Sequence, residues 1–171
     1  MKKYEQTRQK ILVAAESLLS NQRVSTVTID QITERAHIHR STFYRYFPTF
    51  SDLILALVDQ KLEDNIPKRS GIEETTLLVL NLFEQNFLFF RNILLGGETL
   101  NLNFQTILVN RMVDLQSPTI QKVDYANTAE IEMLYQTVVA IFICWVSKPY
   151  LIKKEDILLF LKKYFKFTDE D

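Results

Sequence analysis

One cysteine, three glycines and four prolines in 171 residues leave this chain few ways to be stapled or broken. A lone thiol builds no disulfide framework, so the sequence reads as that of a protein from a reducing compartment, the cytoplasm. Cys144 lies in an apolar run and is expected to be a packed, inert thiol. Scarce Gly and Pro, with Leu, Ile, Lys, Glu and Gln abundant, favour an all-α chain. No secretory leader is read, because Met1-Lys2-Lys3 runs into a polar, amphipathic stretch. The most apolar run, Val138 to Val146, is shorter than the roughly 20 residues needed to cross a bilayer. No membrane partner is therefore expected. HExxH, nucleophile-elbow, phosphate-loop and paired CxxC motifs are all missing. His37 and His39 are two apart in a turn, a poor spacing for one shared metal. The sequence predicts no enzyme, no metal site and no cofactor.

Charge is unevenly spread. The formal net charge of −1 argues against a general polyanion binder. Yet residues 1–50 hold eight Lys/Arg against four acids, and the remainder holds twelve against seventeen. A basic head on an acidic body suits a DNA-contacting segment joined to one that avoids DNA.

Within that head, Thr28 to Phe47 reads as two short helices joined by a tight turn. Thr28 and Gln31 have capping-box spacing, and Val27 with Ile32 stands where a hydrophobic staple would fix the entering chain. Ile29, Ile32 and Ala36 share one face. In the second helix Phe43 and Phe47, four apart, both point inward. Arg40, Ser41, Thr42, Tyr44 and Arg45 are left facing outward or sideways, with Tyr46 on a flank. Guanidinium, hydroxyl and phenol groups on one exposed helix suit base edges and phosphate oxygens. Arg40 and Arg45 are the side chains best able to read guanine O6 and N7. The stretch reads as a helix-turn-helix with Arg40–Phe47 as its recognition helix and double-stranded DNA as its partner.

T-F-Y-R-Y-F, preceded by a capped T-x-x-x-I-x-x-x-A helix and followed by P-x-x-x-D-L-I, resembles the N-terminal domain of TetR-family transcriptional regulators over about the first 60 residues. The resemblance implies that Thr28 is a phosphate-binding helix cap. It implies that Arg40, Ser41, Thr42 and Arg45 face the groove, and that Tyr44, Tyr46 and Thr49 mainly contact the DNA backbone. Three positions depart from the pattern. His37 stands where a Gly is usual, His39 where a Ser cap is frequent, and Phe50 where a Lys is usual.

The remaining chain is predicted helical as well. Tyr4–Ser20 carries a stripe of Ile11, Leu12, Ala15, Leu18 and Leu19, with Lys2, Lys3, Arg8 and Lys10 crowding its start. Pro48 stops the recognition helix, and Thr49 with Asp52 caps the next, which runs from Phe50 to about Ile66. Pro67 to Gly71 is the clearest linker, so residues 1–66 are expected to form a DNA-binding domain and 71–171 a regulatory and dimerisation domain. A single long helix is expected from about Glu73 to Leu95, ended by Gly96-Gly97. Residues 98–116 read as another helix, stopped near Pro118, and Asp124–Ser147 and Glu155–Lys166 as two more.

From Val138 the polarity disappears, and VVAIFICWV predicts a helix covered on every side, with a second subunit as the cover. Its W-x-x-x-P…E-D-I-L-x-F-L continuation resembles the C-terminal region of a TetR subgroup common in Gram-positive bacteria, which pairs two such helices with their copies. A homodimer interface of Val138, Ile141, Phe142, Trp145, Ile157, Leu158, Leu161 and Phe165 is expected on that basis, against an intramolecular hairpin. The family's effector cavity implies a small apolar effector. Phe83, Phe87, Phe90, Phe104, Met112, Met133 and Tyr135 are the candidate lining, or simply core. Together these readings predict a homodimeric repressor at a palindromic operator, released by a small molecule. Control by a protein partner, or a helical adaptor that has lost DNA binding, are the alternatives.

Overall fold

The computed structural model of the protein describes residues 3–67, 72–96, 98–114 and 125–165, the side chains of 3, 72, 98–103, 125–128 and 165 excepted. Among the described residues the chain forms nine α-helices and one 3-10 turn, with no strand. The all-α reading therefore holds.

Helix α1 (Lys3–Leu19) buries the expected stripe, with Ile11, Leu12, Ala15, Leu18 and Leu19 all in the core. After the 3-10 turn Val24–Thr26 come α2 (Ile29–Ala36), α3 (Arg40–Tyr46) and α4 (Phe50–Asn65). Ile32, Phe43, Phe47, Leu53, Leu57 and Val58 meet α1 in one apolar centre. Burying each such side chain contributes about 1.5–3 kcal/mol by area, enough to hold three short helices that would be marginal alone.

The long helix expected over 73–95 is two helices, α5 (Ile72–Gln85) and α6 (Phe87–Leu94). The break falls at Asn86, whose backbone leaves the helical region (φ −115°, ψ 33°). Its side-chain amide donates to the Leu82 carbonyl (3.0 Å), and its Oδ1 accepts from Lys61 Nζ (2.8 Å). Packing rewards the break. Phe83 and Phe90 are seven apart, about 10 Å along a straight helix. Here their rings stack at 4.0 Å, nearly parallel. Sequence periodicity misses such a bend because both halves keep the same apolar spacing.

Helices α7 (Glu98–Asp114), α8 (Tyr125–Ser147) and α9 (Lys154–Phe165) complete the body. α8 lies against α7, α6 and α5. Residues Ala129–Ser147 are long and apolar enough to span a bilayer by length and composition, more than the shorter run read from sequence allowed for. Tyr135, Val138, Phe142 and Val146 of that segment are nevertheless buried against the chain's own helices, as in a core helix.

Head and body are tied by polar struts. Lys61 of α4 donates to Glu16 of α1 (2.5 Å) as well as to Asn86. Asn92 of α6 donates to the Leu19 carbonyl at the end of α1 (2.7 Å). Arg111 of α7 clamps Asp59 of α4 with two nitrogens and reaches Glu63 at 3.2 Å. Gly96 follows α6 against Val24, where an added Cβ would lie 1.8 Å from Val24 Cγ1, so no larger residue fits that approach.

Within the single chain the apolar run of α8 is covered on one side only, since Ala140 and Cys144 are exposed. Cys144 is thus a surface thiol, not a packed one.

Candidate nucleic-acid interface

α2 and α3 present their polar groups because their large aliphatic and Phe side chains are turned inward. Thr28 caps α2: its hydroxyl accepts from Gln31 N–H (3.3 Å), while Gln31 Oε1 accepts from Thr28 N–H (2.9 Å). The capping box read from sequence is present, and Val27 and Ile32 are buried beside it. At the other end His37 takes the left-handed conformation (φ 53°, ψ 51°), the sole positive-φ non-glycine among the described residues. That conformation is what makes Gly usual at this position. It also turns the chain tightly enough to start α3 three residues on.

α3 then sorts its residues as the spacing requires. Phe43 and Phe47 are buried, Arg40, Ser41, Tyr44 and Arg45 are exposed, and Thr42 and Tyr46 are half-buried. Thr49, exposed beyond the helix end, caps α4 in a second capping box with Asp52 (3.1 Å and 2.9 Å). Of the eight residues expected to meet DNA, six stand on α3, with Thr28 at the N-terminus of α2 and Thr49 at that of α4.

Three neighbours of α3 and its end come from other helices. Tyr4 of α1 packs its ring 4.5 Å from Tyr46, and the Arg8 guanidinium lies over Phe47 at 5.6 Å. These contacts bring the basic start of α1 beside α3. The third is Asp30 of α2, whose two carboxylate oxygens accept from Arg40 Nη1 at 2.9 and 3.2 Å. Arg40 Nη2 donates to the Tyr44 hydroxyl (3.3 Å), and the guanidinium lies over the Tyr44 ring at 5.8 Å. The Tyr44 hydrogen bond first, then the Asp30 charge, hold the Arg40 pKa above its ordinary value. Only the i,i+4 spacing of Arg40 and Tyr44 signals this cluster. The Asp30 contact joins two helices and has no sequence signature.

In the body the proposed sites come out differently. Val138, Phe142, Trp145, Ile157 and Leu161 are buried within the single chain. Ile141 and Leu158 are half-buried, and the Phe165 side chain lies outside the described residues, as do linker residues 68–71 and Pro118. Exposed apolar side chains are Met133, Ala140 and Cys144 on α8 and Leu159, Phe160 and Tyr164 on α9. A helix apolar all round gives no sequence cue to which side its own chain covers.

The candidate ligand lining does not face one space either. Phe83, Phe90 and Phe104 are fully buried with centroids 4.0–6.1 Å apart, and Phe83 also meets Phe142 at 5.4 Å. Met112 is buried with them, and Phe87 sits edge-on to Trp145 at 5.9 Å. Tyr135 is wholly buried while Met133 is 66% exposed. Two residues apart on a helix they point to nearly opposite sides, so they cannot line one cavity.

Comparison with known proteins agrees with this architecture. Residues 11–57 match the family described as bacterial regulatory proteins, tetR family. A 50-residue stretch is 38% identical to the HTH-type transcriptional regulator EthR of Mycobacterium tuberculosis, and 49 residues are 37% identical to EthR of Mycolicibacterium smegmatis. Each match covers 29% of this chain and spans 23% of the relative's length. Among solved structures, a TetR transcriptional regulator from Rhodococcus sp. RHA1 superposes with a TM-score of 0.69 at 14% identity, covering 95% of this chain and 94% of that one. The dihydroxyacetone kinase operon activator DhaS gives 0.64 at 18% identity over 95% and 98%. NalD, the secondary repressor of the MexAB-OprM efflux pump in Pseudomonas aeruginosa, gives 0.58 at 19% over 95% and 96%. At these identities the structures speak for the fold, and the sequence matches speak for the head. The head, residues 11–57, thus matches the tetR family of bacterial regulatory proteins, and the chain as a whole shares the fold of solved TetR regulators.

Proposed function

We propose that this protein is a sequence-specific, homodimeric DNA-binding transcriptional regulator, cytoplasmic, acting as a repressor at a palindromic operator. The observation that carries the reading is the exposed face of α3. Two capped helices and the buried Phe43 and Phe47 hold Arg40, Ser41, Tyr44 and Arg45 outward on a basic head. Residues 1–66 serve as the DNA-binding domain and 71–171 as the regulatory one.

One recognition helix reads too few base pairs to single out an operator on a genome. Two copies must present α3 about 34–36 Å apart, one turn of B-DNA, or a multiple of that. The side of α8 and α9 that carries Met133, Ala140, Cys144, Leu159 and Phe160 supplies the contact, and the small side chains let helices approach closely. This moves the interface one face round from the residues read in the sequence. Release by a small molecule follows if it shifts α4 through the Lys61 and Arg111 struts.

The reading is tested by selecting bound sites from random duplex DNA with the full chain, then footprinting the winner. Palindromes whose half-sites lie one turn apart, and repression of a reporter carrying them, are expected. Recovery of unrelated sequences would contradict it.

A further inference from the structure

We infer that Asp30 is a specificity-determining positioning residue that holds Arg40 for reading one base and keeps it off the phosphate backbone. The inference rests on the DNA-binding reading above. A guanidinium has five N–H donors in a fixed fork. In Arg40, Nη1 is turned to both Asp30 oxygens, and Nη2 spends one hydrogen on the Tyr44 hydroxyl. Nε–H and the second Nη2–H have no partner among the described residues. Two N–H groups on one planar group are what guanine O6 and N7 accept.

The arrangement bridges two elements, with α2 supplying the carboxylate and α3 the guanidinium and phenol. Arg40 and Asp30 side chains are 56% and 71% exposed, so DNA reaches them without any rearrangement of the core. When Arg40 reads a base with its outer edge, the Asp30 contact survives. When it turns to a phosphate, that contact is lost, and the carboxylate is left beside another negative charge. Asp30 therefore penalises sequence-independent contacts more than the sequence-specific one. Asp30 also sits in the first turn of α2, where a carboxylate favours the helix whether or not DNA is involved. A role confined to the helix would change stability alone.

The test compares wild type, Asp30→Asn, Asp30→Ser, Arg40→Ala and the double variant Asp30→Asn/Arg40→Ala on the selected site, on every single-base variant of one half-site, and on random duplex. Salt is varied throughout. Asp30→Asn is expected to bind random duplex more tightly, with a salt slope steeper by about 0.9 for each added phosphate contact. At the single base position whose preference Arg40→Ala also abolishes, its discrimination should fall by about tenfold, the low range for a bidentate pair. Asp30→Ser should show the same shift, and Asp30→Asn/Arg40→Ala should discriminate no worse than Arg40→Ala. An Asp30→Asn profile that matches wild type at every base, while wild type discriminates, overturns this inference alone. Wild type binding all duplexes alike overturns the DNA-binding reading along with it.

Discussion

The head and the body of this protein solve the same problem, burying apolar side chains of short helices, with opposite results. In the head the large apolar groups of α2 and α3 are turned into the chain, and what remains outside is charged or polar, with Asp30, Gln31, Glu34 and Arg35 on α2 and Arg40, Ser41, Tyr44 and Arg45 on α3. In the body, α8 and α9 bury one side and leave Met133, Leu159, Phe160 and Tyr164 at the surface. A surface with its apolar groups used up suits a wet, charged partner such as DNA. A surface with apolar groups left over suits a second protein copy.

Charged substitutions break this comparison with the largest effect. Leu161 is 1% exposed, so Leu161→Asp places an unpaired carboxylate in the monomer's own core at a cost of several kcal/mol. We expect it to unfold the body, seen as loss of the cooperative helical transition. Leu159 is 68% exposed, and Leu159→Asp with Phe160→Asp should leave helicity intact while sedimentation at micromolar concentration shifts from dimer to monomer. A folded double variant that remains dimeric would place the interface elsewhere.

A smaller effect is expected where head and body join. Lys61→Met keeps the stem but leaves Glu16 and Asn86 without their shared donor. Each polar group so stranded costs about 1–3 kcal/mol when buried, and Glu16 is partly exposed, so the lower end applies. Denaturant unfolding should show that loss, together with weaker coupling between any effector and DNA affinity.

The smallest effect sharpens the head itself. A left-handed L-residue costs about 1–2 kcal/mol, and the added chain entropy of Gly costs about 0.5–1 kcal/mol in the opposite sense. His37→Gly should therefore stabilise the protein by roughly 0.5–1 kcal/mol, read as a raised denaturation midpoint. A destabilised variant would mean that the His37 side chain makes a compensating contact.

What could be read in advance follows from range along the chain. The Thr28 and Thr49 caps, the inward Phe43 and Phe47, and the outward arginines are all settled within four residues, and each is where the sequence puts it. The bend at Asn86 depends on Lys61, twenty-five residues away, and on a ring stack across the break. The covered side of α8 depends on α5, α6 and α7 arriving from elsewhere in the chain. Polarity alone marks neither. The Asp30–Arg40 contact fell between these cases: ten residues apart, yet joined only once the His37 turn sets α2 against α3.

The most direct measurement is the ratio of affinities for the selected site and for random duplex, at one salt concentration, in wild type and in Arg40→Ala/Arg45→Ala. If α3 reads bases, each Arg contributes about 1–3 kcal/mol at the specific site, and the double variant's ratio should fall to near one while the protein stays folded. A wild type with a ratio of one, or a double variant whose ratio is unchanged, would contradict base reading by α3.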